Sequence, residues 1–342
     1  MTHAPWPERP IVQAPMAGGP STPRLAAAVS DAGGLGFLAA GYRTPDAMLA
    51  DIAATRALTS RPFGMNLFMP SLDEPDPAAV AAYRDRLVPE AERLGVALGP
   101  PPAARDDAYE AKVAALLDDP PAFVSFTFGC PSPRVIRAFR NRGAVVVVTV
   151  TSVDEALRSS GADALCLQGA EAGGHRGSFS DTASDTASGA PLPLRDLLAA
   201  VRAMTPQPLI AAGGLATAAD VADVLAAGAF AAQLGTAFVR CPESGASDVH
   251  KAALGDPRFT STAMTRAFSG RLARGLVNRF LTDHTAHAPA AYPDVHYMTA
   301  PLRKASAAQG DPDGINLWAG ESYQSTTEAP AARLVHDLTP TL

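Results

Sequence analysis

Eight short apolar runs punctuate residues 1–240, and stretches with helical character separate almost every neighbouring pair. The runs fall at 11–14, 35–40, 63–68, 122–128, 144–150, 164–167, 208–212 and 230–234. Few of them alternate apolar with polar residues. Continuous runs such as A-V-V-V-V-T-V at 144–150 suit strands covered on both faces. Helices are expected at 22–32, 44–56, 76–94, 107–117, 133–141, 151–160, 193–204 and 217–227, with Thr44 and Thr217 as N-caps. Alternation of this kind implies a parallel sheet, and eight repeats imply a closed (β/α)8 barrel. A doubly wound open sheet is disfavoured, because no G-x-G-x-x-G follows the first strand. The chain is 47% hydrophobic and 18% charged, enough apolar material for a substantial core. Residues 69–121 hold two helices in the longest interval between strands and read as an insertion or lid. From about Pro242 onward no clear strand is expected. The division is therefore a barrel at 1–240 and a mainly helical cap at 241–342.

Several function classes are disfavoured. The formal charge is −6 with no basic stripe, which argues against nucleic acid as the main partner. Three cysteines, Cys130, Cys166 and Cys241, lie far apart and read as reduced. The N-terminus lacks a signal-peptide core, and no apolar run approaches the ~20 residues of a membrane span. The expectation is a soluble cytoplasmic protein that makes no use of a membrane.

Sites in such barrels lie at the C-terminal ends of the strands. There the sequence places Pro15, Met16, Ala17 and Gly18; then Asn66, Gly129, Cys130 and Thr149; then the loop 168–177, Q-G-A-E-A-G-G-H-R-G; then Gly213–Gly214 and 233–236, Q-L-G-T. Few of these are charged, a set that suits a large neutral ring with one anionic group. Phosphate in this architecture sits at the loops after strands 7 and 8. Those loops carry Gly213, Gly214 and Gly235, with Thr236 adding a hydroxyl, although the glycines could simply make tight turns. Gly169, Gly173, Gly174 and Gly177 allow close backbone approach to a flat ligand. His175 is the one proton carrier at a strand end. A flavin lying on this loop, with His175 at its reactive edge, fits these features. Cys130, in G-C-P, reads as a small buried residue rather than a nucleophile, and Glu171 as exposed. His284, His287 and His296 lack metal-site spacing, and no metal is expected. Lys112, Lys251 and Lys304 lie off the strands, which disfavours Schiff-base chemistry. Residues 178–191 carry a tandem D-T-A-S, polar, low in complexity and expected to be mobile.

Taken together, I-V-Q-A-P-M-A-G at 11–18, G-M-N-L-F at 64–68, Q-G-A-E-A-G-G-H-R-G at 168–177, A-A-G-G at 211–214 and Q-L-G-T-A-F at 233–238 resemble the FMN-dependent nitronate monooxygenases, formerly 2-nitropropane dioxygenases. F-S-G-R-L-A-R-G-L-V-N-R-F at 268–280 and L-W-A-G at 317–320 resemble their class I branch. The resemblance implies a TIM barrel that binds FMN non-covalently. It implies oxidation of alkyl nitronates, such as propionate 3-nitronate, with O2 to a carbonyl compound and nitrite. By the same resemblance His175 is catalytic, and Asn66, Gln168 and Gly173 contact the flavin ring. Gly213, Gly214, Gln233, Leu234, Gly235 and Thr236 contact the ribityl phosphate. Ala14, Pro15, Met16 and Gly174 belong to the cofactor set, while Tyr292, Tyr297 and Lys304 reach toward the substrate. The expected partners are a small nitronate and O2, in a monomer or homodimer. Whether His175 acts as a cation or as a neutral base is open. The alternative on the same flavin barrel is an NAD(P)H:quinone or enoyl-thioester reductase.

Overall fold

A computed structural model describes residues 6–71, 73–181 and 191–341. Most crossovers begin with a side chain that closes a helix start. Strand β1 (Ile11–Gln13) leads through a turn to α1 (Pro23–Asp31), capped by Thr22; β2 (Phe37–Ala39) leads to α2 (Pro45–Leu58), capped by Thr44. Both helices place Pro in the first turn, where no backbone donor is needed. After β3 (Gly64–Phe68) come α3 (Pro77–Leu94) and α4 (Tyr109–Asp118). Then follow β4 (Phe123–Thr127), α5 (Pro133–Asn141), β5 (Val145–Val150), α6 (Val153–Arg158) and β6 (Ala164–Gln168). A two-residue strand β7 (Gly174–His175) precedes α7 (Leu194–Arg202). Strand β8 (Leu209–Ala212) leads to α8 (Ala218–Ala226), which Thr217 and Asp220 start with a reciprocal capping box. Strand β9 (Ala231–Leu234) and the short α9 (Thr236–Val239) end the barrel sequence.

The eight longer strands run parallel in the order β1-β9-β8-β6-β5-β4-β3-β2. The ring closes between β1 and the start of β2, where Val12 bridges Leu35. Gln13 N donates to Leu35 O at 2.9 Å, and Leu35 N to Ile11 O at 2.9 Å. The buried Gln13 side chain reinforces this seam by accepting from Phe37 N at 3.0 Å. Val12, Phe37, Phe123, Val147, Cys166 and Ile210 fill the interior, with Trp6 packed on Phe123 and Phe230 at ring distances of 5.2 and 4.8 Å. The expected (β/α)8 barrel is thus the fold.

The interval 69–121 serves two neighbours. Helix α4 packs on α2 and β3, as a crossover helix does, while α3 packs on the C-terminal extension. That extension is mainly helical, with α10 (Asp248–Ala253), α11 (Arg279–His284), α12 (Asp294–Ala308) and α13 (Ala331–Leu338). It also holds a hairpin that the sequence reading lacks, β10 (Thr262–Thr265) with β11 (Ala273–Leu276). T-A-M-T and A-R-G-L carry little strand propensity of their own. They pair with each other, and β11 also pairs with β7, with Ala273 opposite His175 and Arg274 opposite Gly174. Helix α13 returns to the outer layer against α1 and α8. Most of the low-complexity run 178–191, namely 182–190, lies outside the described residues.

Candidate active site

The barrel strands open at their C-terminal ends into a cavity of about 550 Å3. Ala14, Pro15 and Met16 line it from the loop after β1, Asn66 from β3, and Gln168 from β6. Gly173, Gly174 and His175, Gly213 and Gly214, and Gln233 through Thr236 line it as well. One cavity therefore gathers the histidine and every residue expected to touch a cofactor.

One end of the cavity is made of backbone. Gly213 and Gly214 adopt φ values of 112° and 71°, a conformation that disfavours any side chain. Among the described residues, no hydrogen bond within the chain takes up the backbone N–H groups of Gly213, Gly214, Gly235 or Thr236. Four uncommitted donors at adjoining strand ends fit an anion. The C-terminal extension holds the rim: Gly320 N donates to Thr236 Oγ1 at 3.0 Å, and Ser322 Oγ to Gly214 O at 2.6 Å. Gly173 is needed for a reason internal to the chain. A Cβ there would stand 2.4 Å from Gly320 N.

The other end is made of side chains. Gln168 Nε2 donates to His175 O at 3.0 Å, and its Oε1 accepts from Gly177 N at 2.8 Å, so this amide clamps its own loop. The buried Arg176 ties the same loop to β6 through Gln168 O and Gly169 O, at 2.9 and 2.8 Å. His175 Nε2 lies 2.9 Å from Ser269 Oγ, which fixes the ring. Phe128, Tyr292 and Trp318 surround that ring at centroid distances of 6.2, 5.8 and 5.5 Å. Burial, and after it Arg271 and Arg303, lowers the His175 pKa to about 3, so the imidazole is neutral at physiological pH. Asn66 is 2% exposed, and its Nδ2 donates to Ser125 Oγ and Thr127 Oγ1 at 2.9 and 3.0 Å. Tyr42 and Phe128 hold the left-handed conformation at φ 66° and 74° in this wall. Two strained aromatic residues in one cavity wall mark it as a functional surface.

Other sequence readings sort differently. Lys304 lines the cavity at its exposed rim. Tyr292 reaches the His175 ring and bonds Tyr42 Oη at 3.1 Å. Tyr297 is not among the lining residues and packs on the edge of His296 instead; it is His296, one residue earlier on α12, that faces the cavity. Helical geometry separates adjacent side chains by about 100°, so H-Y could present only one of the two. Glu171 is half-buried, not exposed. Its carboxylate accepts from Leu194 N at 3.1 Å and closes the start of α7. Cys130 packs against the apolar layer outside the barrel, and burial pushes its thiol up, away from a nucleophile. Tyr42, Ser269, Arg271, His296 and Arg303 carried no local signal of function. F-S-G-R supplies Ser269 and Arg271 within a quoted motif, but only the folded chain shows what they face. No described group of three or more His, Cys, Asp and Glu side chains could hold a metal ion. No described helix is long and apolar enough to cross a membrane.

These residues fit a flavin. The volume suits a cofactor, uncommitted donors stand at Gly213, Gly214, Gly235 and Thr236, and among the described residues no aspartate or glutamate lines the cavity to repel an anion. The sequence profile described as nitronate monooxygenase matches residues 5–341. The chain belongs to the nitronate monooxygenase family. This is a family of flavin-dependent oxidoreductases, and the chain is such an enzyme. A protein of Pseudomonas aeruginosa named nitronate monooxygenase is 41% identical over 97% of this chain and 95% of its own length. One of Paraburkholderia phytofirmans with the same name is 40% identical over 97% and 91%. A crystal structure of nitroalkane oxidase from Streptomyces ansochromogenes superposes with a TM-score of 0.94 at 53% identity, covering 97% of this chain and 95% of that one. The structure of FabK from Thermotoga maritima superposes at 0.73 with 27% identity, covering 97% and 92%.

Proposed function

We propose that the cavity binds FMN and that the enzyme oxidises alkyl nitronates, propionate 3-nitronate among them, with O2 to a carbonyl compound and nitrite. The observation that carries this reading is the juxtaposition of a backbone anion cradle at 213–214 and 235–236 with a neutral imidazole at 175 in one cavity that no carboxylate lines among the described residues. FMN, when bound, supplies the electron transfer between substrate and O2. The backbone N–H groups of Gly213, Gly214, Gly235 and Thr236 would hold its phosphate, and Asn66 and Gly173 would flank the ring. Gln168, which lines the same cavity, also keeps the loop 175–177 in shape and thereby aims His175. A neutral His175 offers a lone pair or an N–H, not a charge. Its part is to orient the nitronate by a hydrogen bond or to accept a proton from a nitroalkane carbon. Phe128, Tyr292 and Trp318 keep water from the reacting carbon. The chain's similarity to a nitroalkane oxidase supports this choice of substrate class.

The visible spectrum of the purified protein tests the cofactor, and mass analysis of the released pigment tests that it is FMN. Anaerobic bleaching by propionate 3-nitronate, followed by O2 uptake with nitrite release, tests the reaction. A colourless protein that refuses added FMN would overturn the reading. So would a flavin reduced by NADH or NADPH without air but indifferent to nitronate, the behaviour of a reductase.

A further inference from the structure

Arg303 is a cation with no carboxylate partner among the described residues. It lies on α12, half-buried, and lines the cavity. Its Nε donates to Thr299 Oγ1 at 3.1 Å, its Nη1 to Asn316 Oδ1 at 3.3 Å, and its Nη2 to His296 O at 2.8 Å. All three acceptors are neutral. Among the described residues no carboxylate pairs with Arg303, and none lines the cavity it faces. Burial lowers its pKa to about 10, which still leaves it charged at neutral pH. Most of the other guanidiniums in contact with solvent here have an acidic partner, as Arg279 has Glu90 and Arg105 has Asp294. A desolvated guanidinium with neutral partners is stabilised when an anion joins it.

A second donor stands beside it. Arg303 Nη2 lies 3.4 Å from His296 Nδ1. A guanidinium cannot accept, so Nδ1 is the acceptor and the His296 proton is assigned to Nε2. The His296 ring lies flat on Tyr42, centroids 3.9 Å apart and planes 2° from parallel, so its direction is fixed. Tyr42 is anchored in turn, its N–H donating at 3.0 Å to Asp107, which pairs with the buried Lys112 at 2.6 Å.

We propose that Arg303, with His296 beside it, is the specificity residue that receives a planar two-oxygen anion of the substrate in this cavity. The class is a nitronate or a carboxylate, whose paired oxygens match the guanidinium fork. The assignment rests on the nitronate reading above and moves substrate recognition from Lys304, at the exposed rim, to its half-buried neighbour.

The test uses the flavin-loaded enzyme and the variants Arg303→Met and Arg303→Lys, with propionate 3-nitronate and with ethyl nitronate, which lacks the carboxylate. Loss of a charge-assisted hydrogen bond is expected to raise KM in Arg303→Met by about 10- to 100-fold, with kcat changed far less. Arg303→Lys should recover part of that loss, because it restores charge without the fork. Inhibition by nitrate, an inert planar oxyanion, should weaken in parallel in Arg303→Met. An increase for both substrates assigns the guanidinium to the nitronate group; an increase for propionate 3-nitronate alone assigns it to the carboxylate. Unchanged KM for both substrates with unchanged nitrate inhibition overturns the inference, as does a fall in kcat alone. A wild-type enzyme that turns over neither nitronate overturns the parent reading instead.

Discussion

The two ends of the cavity are built from different parts of the chain. The anion end is backbone: Gly213, Gly214, Gly235 and Thr236 present N–H groups at the ends of β8 and β9, and no charged side chain is needed. The histidine end is side chain, and most of it comes from elsewhere: Ser269, Tyr292, His296, Arg303 and Trp318 all lie in the C-terminal extension. A backbone cradle tolerates drift in most side chains but not in its glycines. A wall of packed aromatic and polar side chains can be retuned residue by residue. On the proposed function, the division would give cofactor retention to the barrel and substrate choice to the extension.

The sharpest way to break this division is His175→Asn. The variant should keep its flavin and lose nitronate turnover by about 10²- to 10⁴-fold, the range for removing a positioned acid–base group. Absorbance of the bound flavin and O2 uptake, measured on the same sample, decide it. Undiminished turnover in a fully loaded variant would remove the imidazole from the chemistry. A flavin-free variant would show that the two ends are not separable.

Gly173→Ala strikes where they meet. The added methyl would stand 2.4 Å from Gly320 N and 2.5 Å from Ala319 C, so the 318–320 segment must move. Trp318 then leaves the His175 ring, and Thr236 loses the Gly320 N–H. A destabilisation of roughly 1–3 kcal/mol is expected, as for overpacking, with both FMN retention and turnover impaired. Thermal melting with and without added FMN measures it. Loss of only one function would place the 318–320 segment at one end.

A smaller effect follows from pH. Burial, as the first cause, depresses His175 to about 3, His250 to about 4 and His296 well below 6.5. Below about pH 6.5 the unfolded chain takes up protons at these positions while the folded chain does not. Stability from the neutral rings is therefore complete above 6.5 and falls as pH drops toward the folded values. Melting temperature should decline from pH 7 to pH 5. His250→Gln, which can still donate to Trp318 O, the contact His250 makes at 3.0 Å, should flatten that slope. Equal slopes in variant and parent would mean that His250 is hydrated in solution.

The same division explains what the sequence revealed. The barrel was legible because each strand is a local apolar run and several helix starts carry a local cap, Thr44 and Thr217 among them. The anion end was legible because a backbone cradle requires glycine at fixed places. At the histidine end the residues themselves pointed only to His175, and family resemblance added Tyr292 and Lys304, since the partners Ser269 and Trp318 lie 94 and 143 residues away. The β10–β11 hairpin escaped notice for a related reason, because β11 takes its outer pairing from the distant loop that carries His175. His296 and Tyr297 are neighbours in sequence but only one faces inward, and the helix phase that decides between them is set by packing of α12 on α3.

The smallest expected effect tests the backbone end most directly. Thr236→Val keeps the shape of the side chain and removes the hydroxyl that accepts from Gly320 N at 3.0 Å. If the anion is held by main-chain donors, the loss is that of one neutral hydrogen bond, about 0.5–1.5 kcal/mol, which is roughly a two- to tenfold weaker hold on FMN. Turnover of the loaded enzyme should be nearly unchanged, because on the proposed function Thr236 serves the phosphate and His175 the substrate. Fluorescence of released flavin on dilution gives the affinity, and initial rates at saturating FMN give the turnover. A loss beyond a hundredfold in FMN affinity would make the hydroxyl the principal anchor, and the anion end would then depend on a side chain as much as the substrate end does.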